Sequence, residues 1–276
     1  MKSQEIWVDA GINRKLFVKI WIPDEQPRAV ITLVHGFGEH CSRYEPYFSA
    51  FKDEPIAFLG FDLYGHGKSD GKRGTIVSYD SLLDDVALLI NFTKEQFPNL
   101  PHYVYGHSMG GNIVLNFLLR RQADLTGAIV TSPWLKLTNE PPAMLKMLVS
   151  ALRLVMPNVT MNSGLDIKAI SSQVDEVKKY SDDPLNHGRI SFRLLHEVVF
   201  WGRWAMENAS ALLVPTLLMH GTADKITSPL ASEYVFESNR DKIKFVSWEG
   251  KFHELHNENV RRDVALTVTN WMYQSK

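Results

Sequence analysis

The stretch His102–Gly111, HYVYGHSMGG, decides the fold. Its first residues form a short apolar run typical of a buried strand, and the helical stretch Asn112–Arg121 follows it. Between them, Gly106-His107-Ser108-Met109-Gly110 has the pattern G-x-S-x-G, which alone is only suggestive. The pattern is more specific for a nucleophilic serine when it lies between a strand and a helix, as it does here. In that setting a tight turn places a strained serine above the sheet edge. The alternative is a glycine-rich helix start without chemistry.

Strand and helix signals alternate on both sides of this stretch. The runs Ala29–Val34 and Ile56–Phe61 are continuously apolar, as strands buried on both faces of a parallel sheet are. This alternation predicts an α/β fold, a mostly parallel sheet flanked by helices. The other predicted elements are strands at Ile6–Val8, Leu16–Pro23, Ala128–Thr131, Pro215–Met219 and Ile243–Trp248, and helices at Ser81–Phe97, Leu230–Glu237 and Val260–Tyr273.

The interval 133–210 interrupts the alternation and is too long for a loop in a compact domain. We expect it to be a helical cap inserted into a core domain of residues 1–132 and 211–276. Within it, residues 141–156 predict an apolar helix with one narrow polar stripe that contains Lys146 and Arg153. Two interpretations stay open. The helix buries its apolar face on the cap, or part of that face makes transient contact with a membrane surface, where Lys146 and Arg153 meet headgroups.

The amino-acid composition excludes several classes of protein and of binding site. The chain has 276 residues, 45% of them hydrophobic and 22% charged, as is typical of a globular protein. Its 30 Lys+Arg and 31 Asp+Glu residues give a net charge of −1, which excludes nucleic-acid binding by bulk electrostatics. The one cysteine, Cys41, permits no internal disulfide and no cysteine-based zinc site. With no signal-peptide pattern and no apolar run of the ~18–20 residues that span a bilayer, we expect a cytoplasmic protein. Its oligomeric state is left open.

A serine hydroxyl needs a base to become a nucleophile, and the base needs an orienting carboxylate. Two strand ends downstream provide them. Asp224 lies in the turn after the strand Pro215–Met219, and His253 lies in the turn after Ile243–Trp248. Both turns should lie at the carboxyl edge of the sheet, where open α/β folds bind ligands. We therefore predict that Ser108 is the nucleophile, Asp224 the orienting acid and His253 the general base.

Other residues compete for these roles less well. His256 follows His253 closely and is the second candidate for the base, whereas His107 and His220 are expected to be packed neighbours. For the oxyanion hole, the residue after the nucleophile, Met109, supplies one backbone N–H, and the turn after the first parallel strand supplies another at Phe37. The rival acids lie in the cap without a strand before them and are expected on the surface: Asp166, Asp175, Asp182 and Asp183.

Several motifs, in the same order along the chain, resemble those of the monoacylglycerol lipases and related lysophospholipases, a family of α/β-hydrolases. The matches run from about residue 29 to 260 and are jointly specific. They are HGFGEH (35–40), SRY (42–44), DLYGHGKS (62–69), GHSMGG (106–111), GTAD (221–224) and WEGKFHELH (248–256). The cap resembles the family less, with DPL (183–185) and RIS (189–191) as its recognisable parts.

The resemblance implies an α/β-hydrolase fold and a serine hydrolase that acts without a metal or organic cofactor. The implied substrate is a lipid with one acyl chain, monoacylglycerol above all, which is cleaved to fatty acid and glycerol. In such enzymes a hydrophobic tunnel under the cap takes the acyl chain and a small polar pocket takes the leaving alcohol. Glu39, Arg43 and His256 match positions near that polar end, so the resemblance predicts that they bind substrate.

Two residues depart from the family pattern. Cys41 stands where relatives often carry another small residue, and we expect it to be buried. Phe37 is bulkier than the residue usual at its place, which narrows the pocket and affects the preferred chain length. A lysophospholipase, a general carboxylesterase or a thioesterase shares the triad, and fold-level analogy does not choose between them. A ligand-binding protein without activity is disfavoured because nucleophile, base and acid are all present.

Overall fold

The structure is a computed structural model that describes residues 1–12, 14–51, 54–121 and 124–274. Strands and helices alternate along most of the chain. The strands are β1 (Lys2–Asp9), β2 (Lys15–Ile22), β3 (Ala29–Val34), β4 (Ile56–Phe61), β5 (His102–His107), β6 (Gly127–Thr131), β7 (Thr160–Asn162), β8 (Arg189–Ser191), β9 (Thr216–Gly221) and β10 (Ile243–Trp248). The α-helices are α1 (Glu45–Phe48), α2 (Tyr79–Gln96), α3 (Met109–Arg120), α4 (Ala143–Val155), α5 (Val174–Asp182), α6 (Phe192–Glu207), α7 (Pro229–Ser238) and α8 (Arg261–Gln274).

Eight strands form one sheet in the order β1-β2-β4-β3-β5-β6-β9-β10. β3, β4, β5, β6, β9 and β10 run parallel, and β2 pairs antiparallel with both β1 and β4. The predicted mostly parallel α/β sheet is confirmed. Because β5 pairs with β6 through His107 and Thr131, and β9 with β10 through Gly221 and Trp248, the carboxyl ends of these strands meet at one edge.

Two apolar clusters cover the two faces of the sheet. Alternate residues of one strand enter different clusters: Leu33 lies in one cluster, and its neighbour Val34 lies in the other. One cluster contains side chains of α2, α3, α6 and α7. The other contains side chains of α1 and α8. Burial of parallel strands on both faces explains why they are recognisable in the sequence as continuous apolar runs.

Residues between β6 and β9 form α4, α5, α6 and a separate two-stranded sheet of β7 and β8. The predicted helix at 141–156 is present as α4. Most of its apolar side chains are exposed, and Val149 is buried. The small sheet was not predicted, because its strands of three residues each are too short to show a period. No helix of the described residues is both long enough and apolar enough to cross a membrane.

Gly110 sets the distance between α3 and the sheet. A Cβ atom built at Gly110 would lie 2.0 Å from the carbonyl oxygen of Val34 on β3, a distance that no side chain tolerates without a backbone shift. Gly188 offers a matched comparison, since a Cβ atom there would meet its nearest neighbour at 3.7 Å.

We predict that Gly110→Ala destabilises the fold by at least ~2 kcal/mol, lowering the melting temperature by about 4–8 °C, because α3 must move away from β3. Gly188→Ala should leave the melting temperature within about 2 °C of the wild type. Circular dichroism melting of the two variants is the measurement. Equal melting temperatures would contradict the packing described for α3.

Candidate active site

Ser108 lies between β5 and α3, in a tight turn. Its φ of +53° and ψ of −117° fall in a region that residues with side chains rarely adopt. The Ser108 N–H donates to the carbonyl of Thr131 at 3.0 Å, and a Cβ atom on Gly106 would lie 2.6 Å from the carbonyl oxygen of Gly110. Strain of this kind costs about 1–3 kcal/mol and persists only where the surrounding structure imposes it, typically at functional sites.

Asp224 and His253 meet at the carboxyl edge of the sheet. Asp224 Oδ2 lies 2.6 Å from His253 Nδ1, and each residue is 4% exposed. Asp224 follows β9 and His253 follows β10, and these neighbouring strands end at the paired residues Gly221 and Trp248. The structure therefore brings together the predicted acid and base, which are 29 residues apart in the sequence.

The Asp224 carboxylate has several further partners. Its Oδ1 accepts hydrogen bonds from the N–H groups of Ile226 (2.7 Å) and Thr227 (3.1 Å). Its Oδ2 accepts one from the Thr227 hydroxyl (3.0 Å) and lies 3.0 Å from His220 Nε2. Burial alone raises the pKa of Asp224, but the charge of His253 and the hydrogen bonds from His220 and His253 hold it well below its ordinary value. The carboxylate therefore stays ionised beside the His253 ring.

The His253 ring is held through Nδ1, which contacts Asp224, and this leaves Nε2 for the reaction. Burial lowers the pKa of His253, but the charge and hydrogen bond of Asp224, with the charges of Glu254 and Glu39, raise it above its ordinary value. Ser132 Oγ donates to the His253 carbonyl at 2.8 Å and fixes the loop. Because Nδ1 contacts Asp224, Nε2 is the nitrogen that can exchange a proton with a substrate or nucleophile.

Ser108 and His253 line the same cavity, which has a volume of about 1210 Å³. Phe37, Glu39 and His107 also line it. Apolar side chains from the region between β6 and β9 cover much of its wall, which suits a long apolar ligand. They are Trp134, Leu135, Leu137, Leu145, Met147, Val149, Met161, Leu165, Ile170, Ile190, Leu195, Val199, Phe200 and Met206.

Two backbone N–H groups border Ser108. Met109 is the first residue of α3, and Phe37 lies in the loop after β3. That loop is close to the serine, since a Cβ atom on Gly36 would lie 3.2 Å from Ser108 Cβ. Among the described residues, no acceptor takes the N–H of Phe37 or Met109. Both groups are therefore available to a negative charge that develops beside Ser108.

A buried ion cluster holds the loop after β3. Arg43 donates to Glu39 Oε2 and to both oxygens of Glu254, at 2.9 and 2.8 Å. Glu39 Oε1 accepts from the Gly36 N–H (2.6 Å) and from the Tyr44 hydroxyl (2.8 Å). Glu39 thus fixes the backbone next to Phe37. The role of Glu254 in this ion cluster was not predicted from the sequence, although its position directly after His253 indicates that it lies near the site.

Glu39 and Glu254 line the cavity, and Arg43 pairs with both of them. His256 is fully buried and stacks on Tyr44, with ring centroids 4.3 Å apart. Burial, followed by the charge of Arg43, lowers the pKa of His256 well below its ordinary value. Glu39, Glu254 and His256 place three candidate metal ligand atoms within 4.8 Å of one another, but Arg43 already pairs with both carboxylates.

The remaining candidates have other partners. Asp183 lies 2.8 Å from His40, not beside His253, and Asp166 accepts a hydrogen bond from the Lys168 N–H at 3.0 Å. Asp175 and Asp182 are exposed, as predicted. Cys41 is fully buried, also as predicted, and burial followed by the charge of Asp62 raises the pKa of its thiol well above the ordinary value.

Comparison with known proteins agrees with this geometry. The family model described as serine aminopeptidase S33 matches residues 25–260. An abhydrolase domain-containing protein of Dictyostelium discoideum is 32% identical over 93% of this chain, a match that spans 27% of that protein. The monoglyceride lipase of Mus musculus is 32% identical over 93% of this chain and 86% of its own length.

A solved structure is also similar. The crystal structure of Paleococcus ferrophilus monoacylglycerol lipase superposes with a TM-score of 0.86 at 29% identity, covering 95% of this chain and 99% of that one. Fold, motif order and sequence identity over nearly the whole chain lead to the same assignment. The chain therefore belongs to the serine aminopeptidase S33 family of α/β-hydrolases and, among these, to the monoglyceride lipases.

Proposed function

We propose that this chain is a serine hydrolase that cleaves the ester of monoacylglycerol to fatty acid and glycerol through an acyl-enzyme on Ser108. The observation that carries the proposal is the strained Ser108 turn and the buried Asp224–His253 pair in one large cavity. The monoglyceride lipases among its relatives support the choice of substrate.

In the proposed first step, His253 Nε2 takes the hydroxyl proton of Ser108 while Oγ attacks the ester carbonyl carbon. The developing oxyanion accepts hydrogen bonds from the N–H groups of Phe37 and Met109. Ionised Asp224 keeps the proton on Nδ1 of the His253 ring and stabilises the imidazolium that forms. When the ester C–O bond breaks, Nε2 returns the proton to the leaving glycerol oxygen.

In the second step, water attacks the acyl-enzyme carbonyl while His253 Nε2 takes one of its protons. The second tetrahedral intermediate collapses, and Ser108 Oγ leaves as it regains a proton from the imidazolium. Fatty acid is released, and no group besides water is consumed. The same serine, histidine and N–H pair serves both steps.

Charge at the cavity wall favours a neutral leaving alcohol. Glu39 and Glu254 bring two carboxylates to the wall, and Arg43 pairs with both. The cavity is also lined by the cationic side chains Lys136, Lys146, Arg203 and Lys225 and by the carboxylates of Glu140, Asp166 and Glu207. Burial first, and then neighbouring positive charge, lowers the pKa of both His107 and His256, so neither ring adds a compensating charge near pH 7. The carboxylates of Glu39 and Glu254 can accept hydrogen bonds from the hydroxyl groups of a glycerol, whereas they repel the phosphate of a lysophospholipid.

The test is kcat/KM for 1-oleoylglycerol, lysophosphatidylcholine, dioleoylglycerol and a short p-nitrophenyl ester, with Ser108→Ala as the blank. We expect 1-oleoylglycerol to exceed lysophosphatidylcholine at least tenfold, since about 1.4 kcal/mol of repulsion at the phosphate suffices for that ratio. A preference for lysophosphatidylcholine would replace the proposal by a lysophospholipase. Activity on the short ester alone would mean that the cavity does not hold a long acyl chain.

We predict that Asp224→Asn lowers kcat by about 10³–10⁴-fold with the fold intact, because the amide favours the wrong tautomer of His253. Asp183→Asn is the matched control, since it makes the same change at a carboxylate that contacts His40 instead. It should keep at least a tenth of the activity. The measurement is kcat for 1-oleoylglycerol, with circular dichroism as the check on folding. A larger loss in Asp183→Asn would assign the orienting acid to Asp183.

We propose further that residues 133–210 are a cap on the core formed by residues 1–132 and 211–276, and that α4 touches a membrane surface on its cytoplasmic side. Exposed apolar side chains on α4 support this contact: Met144 is 82% exposed, Leu148 52% and Leu154 72%. Leu145 and Val149 of the same helix line the cavity, so α4 lies between solvent and the acyl site. Lys146 pairs with Glu140, which leaves the apolar face as the main attraction.

We predict that Leu148→Glu combined with Leu154→Glu reduces co-sedimentation with phosphatidylcholine–phosphatidylserine liposomes at least about fivefold, since both changes place a charge on the apolar face. Val174→Glu is the matched control, because Val174 is 80% exposed but lies on α5. Binding that all variants keep at the wild-type level would disprove membrane contact through α4.

A further inference from the structure

We propose that residues 169–187, here called the bracing segment, hold both loops that the reaction uses, and that Ser172 and Glu258 are positioning residues for His253. The bracing segment lies within the proposed cap and contains α5. The inference rests on the proposed function, because it concerns the loops of His253 and Phe37. The bracing segment would then act in the chemical step, and not only in enclosing the acyl chain as the rest of the proposed cap does.

The first set of contacts reaches the loop of His253. The N–H of Glu254, the residue directly after His253, donates to the carbonyl of Ile170 at 2.7 Å. Ser171 Oγ donates to the carbonyl of Asn257 at 2.8 Å. The backbone that follows His253 is therefore hydrogen-bonded to the bracing segment at two points, one residue and four residues after His253.

Glu258 completes this attachment through its side chain. One carboxylate oxygen accepts the N–H of Ser172 at 2.7 Å, and the other accepts the Ser172 hydroxyl at 2.5 Å. The first oxygen also accepts the N–H of Phe252, the residue before His253, at 3.4 Å. Glu258 is 2% exposed, so water does not replace these donors readily. One buried carboxylate thus ties the bracing segment to both sides of the His253 loop.

A further link runs through α5. Glu176 on α5 lies 2.9 Å from Nη2 of Arg261, at the start of α8. The Nε of the same guanidinium donates to the carbonyl of His256 at 2.7 Å. Arg261 therefore makes a fourth link between the bracing segment and the same loop.

The second set of contacts reaches the loop of Phe37. The carbonyl of Gly38 accepts hydrogen bonds from the N–H of His187 (2.9 Å) and from the hydroxyl of Tyr180 (3.2 Å). His40 Nε2 lies 2.8 Å from Asp183 Oδ2. Gly38 has a φ of +73°, and a Cβ atom there would lie 2.2 Å from the carbonyl oxygen of His187. The two chain segments approach as closely as glycine allows.

α4 differs from the bracing segment in all of these respects. Val149 is its buried residue, and Lys146 forms an ion pair with Glu140, which belongs to neither loop. The cap therefore has two parts with separate functions. α4 borders the acyl site, and the bracing segment fixes the distance between the base and the oxyanion N–H groups, which a displacement of about 1 Å can spoil by ~10²-fold in rate.

The test compares kcat and KM on two substrates of different length, 1-oleoylglycerol and p-nitrophenyl acetate. Ser172→Ala and Glu258→Ala remove the link. Ser172→Thr keeps the hydroxyl, and Glu258→Gln keeps an acceptor for the two N–H groups while its NH2 can donate to the Ser172 hydroxyl oxygen. Ser181→Ala is the matched control, since Ser181 is exposed on α5 of the same segment. Melting temperatures report on folding.

We expect the two alanine variants to lose about 10- to 100-fold in kcat on both substrates with KM changed less than about twofold, because the base is displaced whatever the acyl chain. The variants Ser172→Thr, Glu258→Gln and Ser181→Ala should keep kcat and KM near the wild-type values. Should Glu258→Ala not fold, Ser172→Ala alone decides, since Ser172 is exposed.

A higher KM for 1-oleoylglycerol with unchanged kcat on p-nitrophenyl acetate would overturn the inference, because the segment would then only shape the acyl site. Unchanged kinetics in both alanine variants would overturn it as well. The proposed function is judged separately, by whether the wild type hydrolyses 1-oleoylglycerol in a manner that Ser108→Ala abolishes.

Discussion

The contact of 2.6 Å between Asp224 Oδ2 and His253 Nδ1 is the interaction on which the rest of the site depends. Burying a carboxylate is costly unless it is hydrogen-bonded and paired, and Asp224 obtains both from His253, Thr227 and Ile226. Without the ionised carboxylate, the buried His253 ring would lose the interaction that holds it in one tautomer. Ser108 would then lack a base, whatever the strain in its turn.

The sheet register turns distant residues into neighbours. Ser108, Asp224 and His253 each follow a parallel strand, and such strands end at one edge, so the sequence predicted which loops would meet. Continuous apolar runs and the glycines of the elbow are local signals, since each is imposed by burial or by close backbone approach. For the same reason the fold class, the Ser108 turn and the position of α4 could be foreseen.

Contacts between side chains that do not both follow strands of the parallel sheet could not be foreseen. That Arg43 and His256 bind substrate stays a prediction; the sequence did not indicate that Arg43 pairs with Glu39 and Glu254 or that His256 stacks on Tyr44. The three-residue strands β7 and β8 show no period, and nothing in the sequence near Ser172 indicates that it meets Glu258.

The most direct test of the account is the pH dependence of kcat/KM for 1-oleoylglycerol in the wild type and in Asp224→Asn. The base acts when neutral. Burial lowers the pKa of His253, but the charge and hydrogen bond of Asp224, together with the charges of Glu254 and Glu39, raise it above its ordinary value. Activity of the wild type should therefore fall as pH drops through a midpoint above about 6.5. In Asp224→Asn the midpoint should move to lower pH, because the carboxylate no longer stabilises the imidazolium. An unshifted midpoint would contradict the pairing of Asp224 with His253 as the source of catalysis.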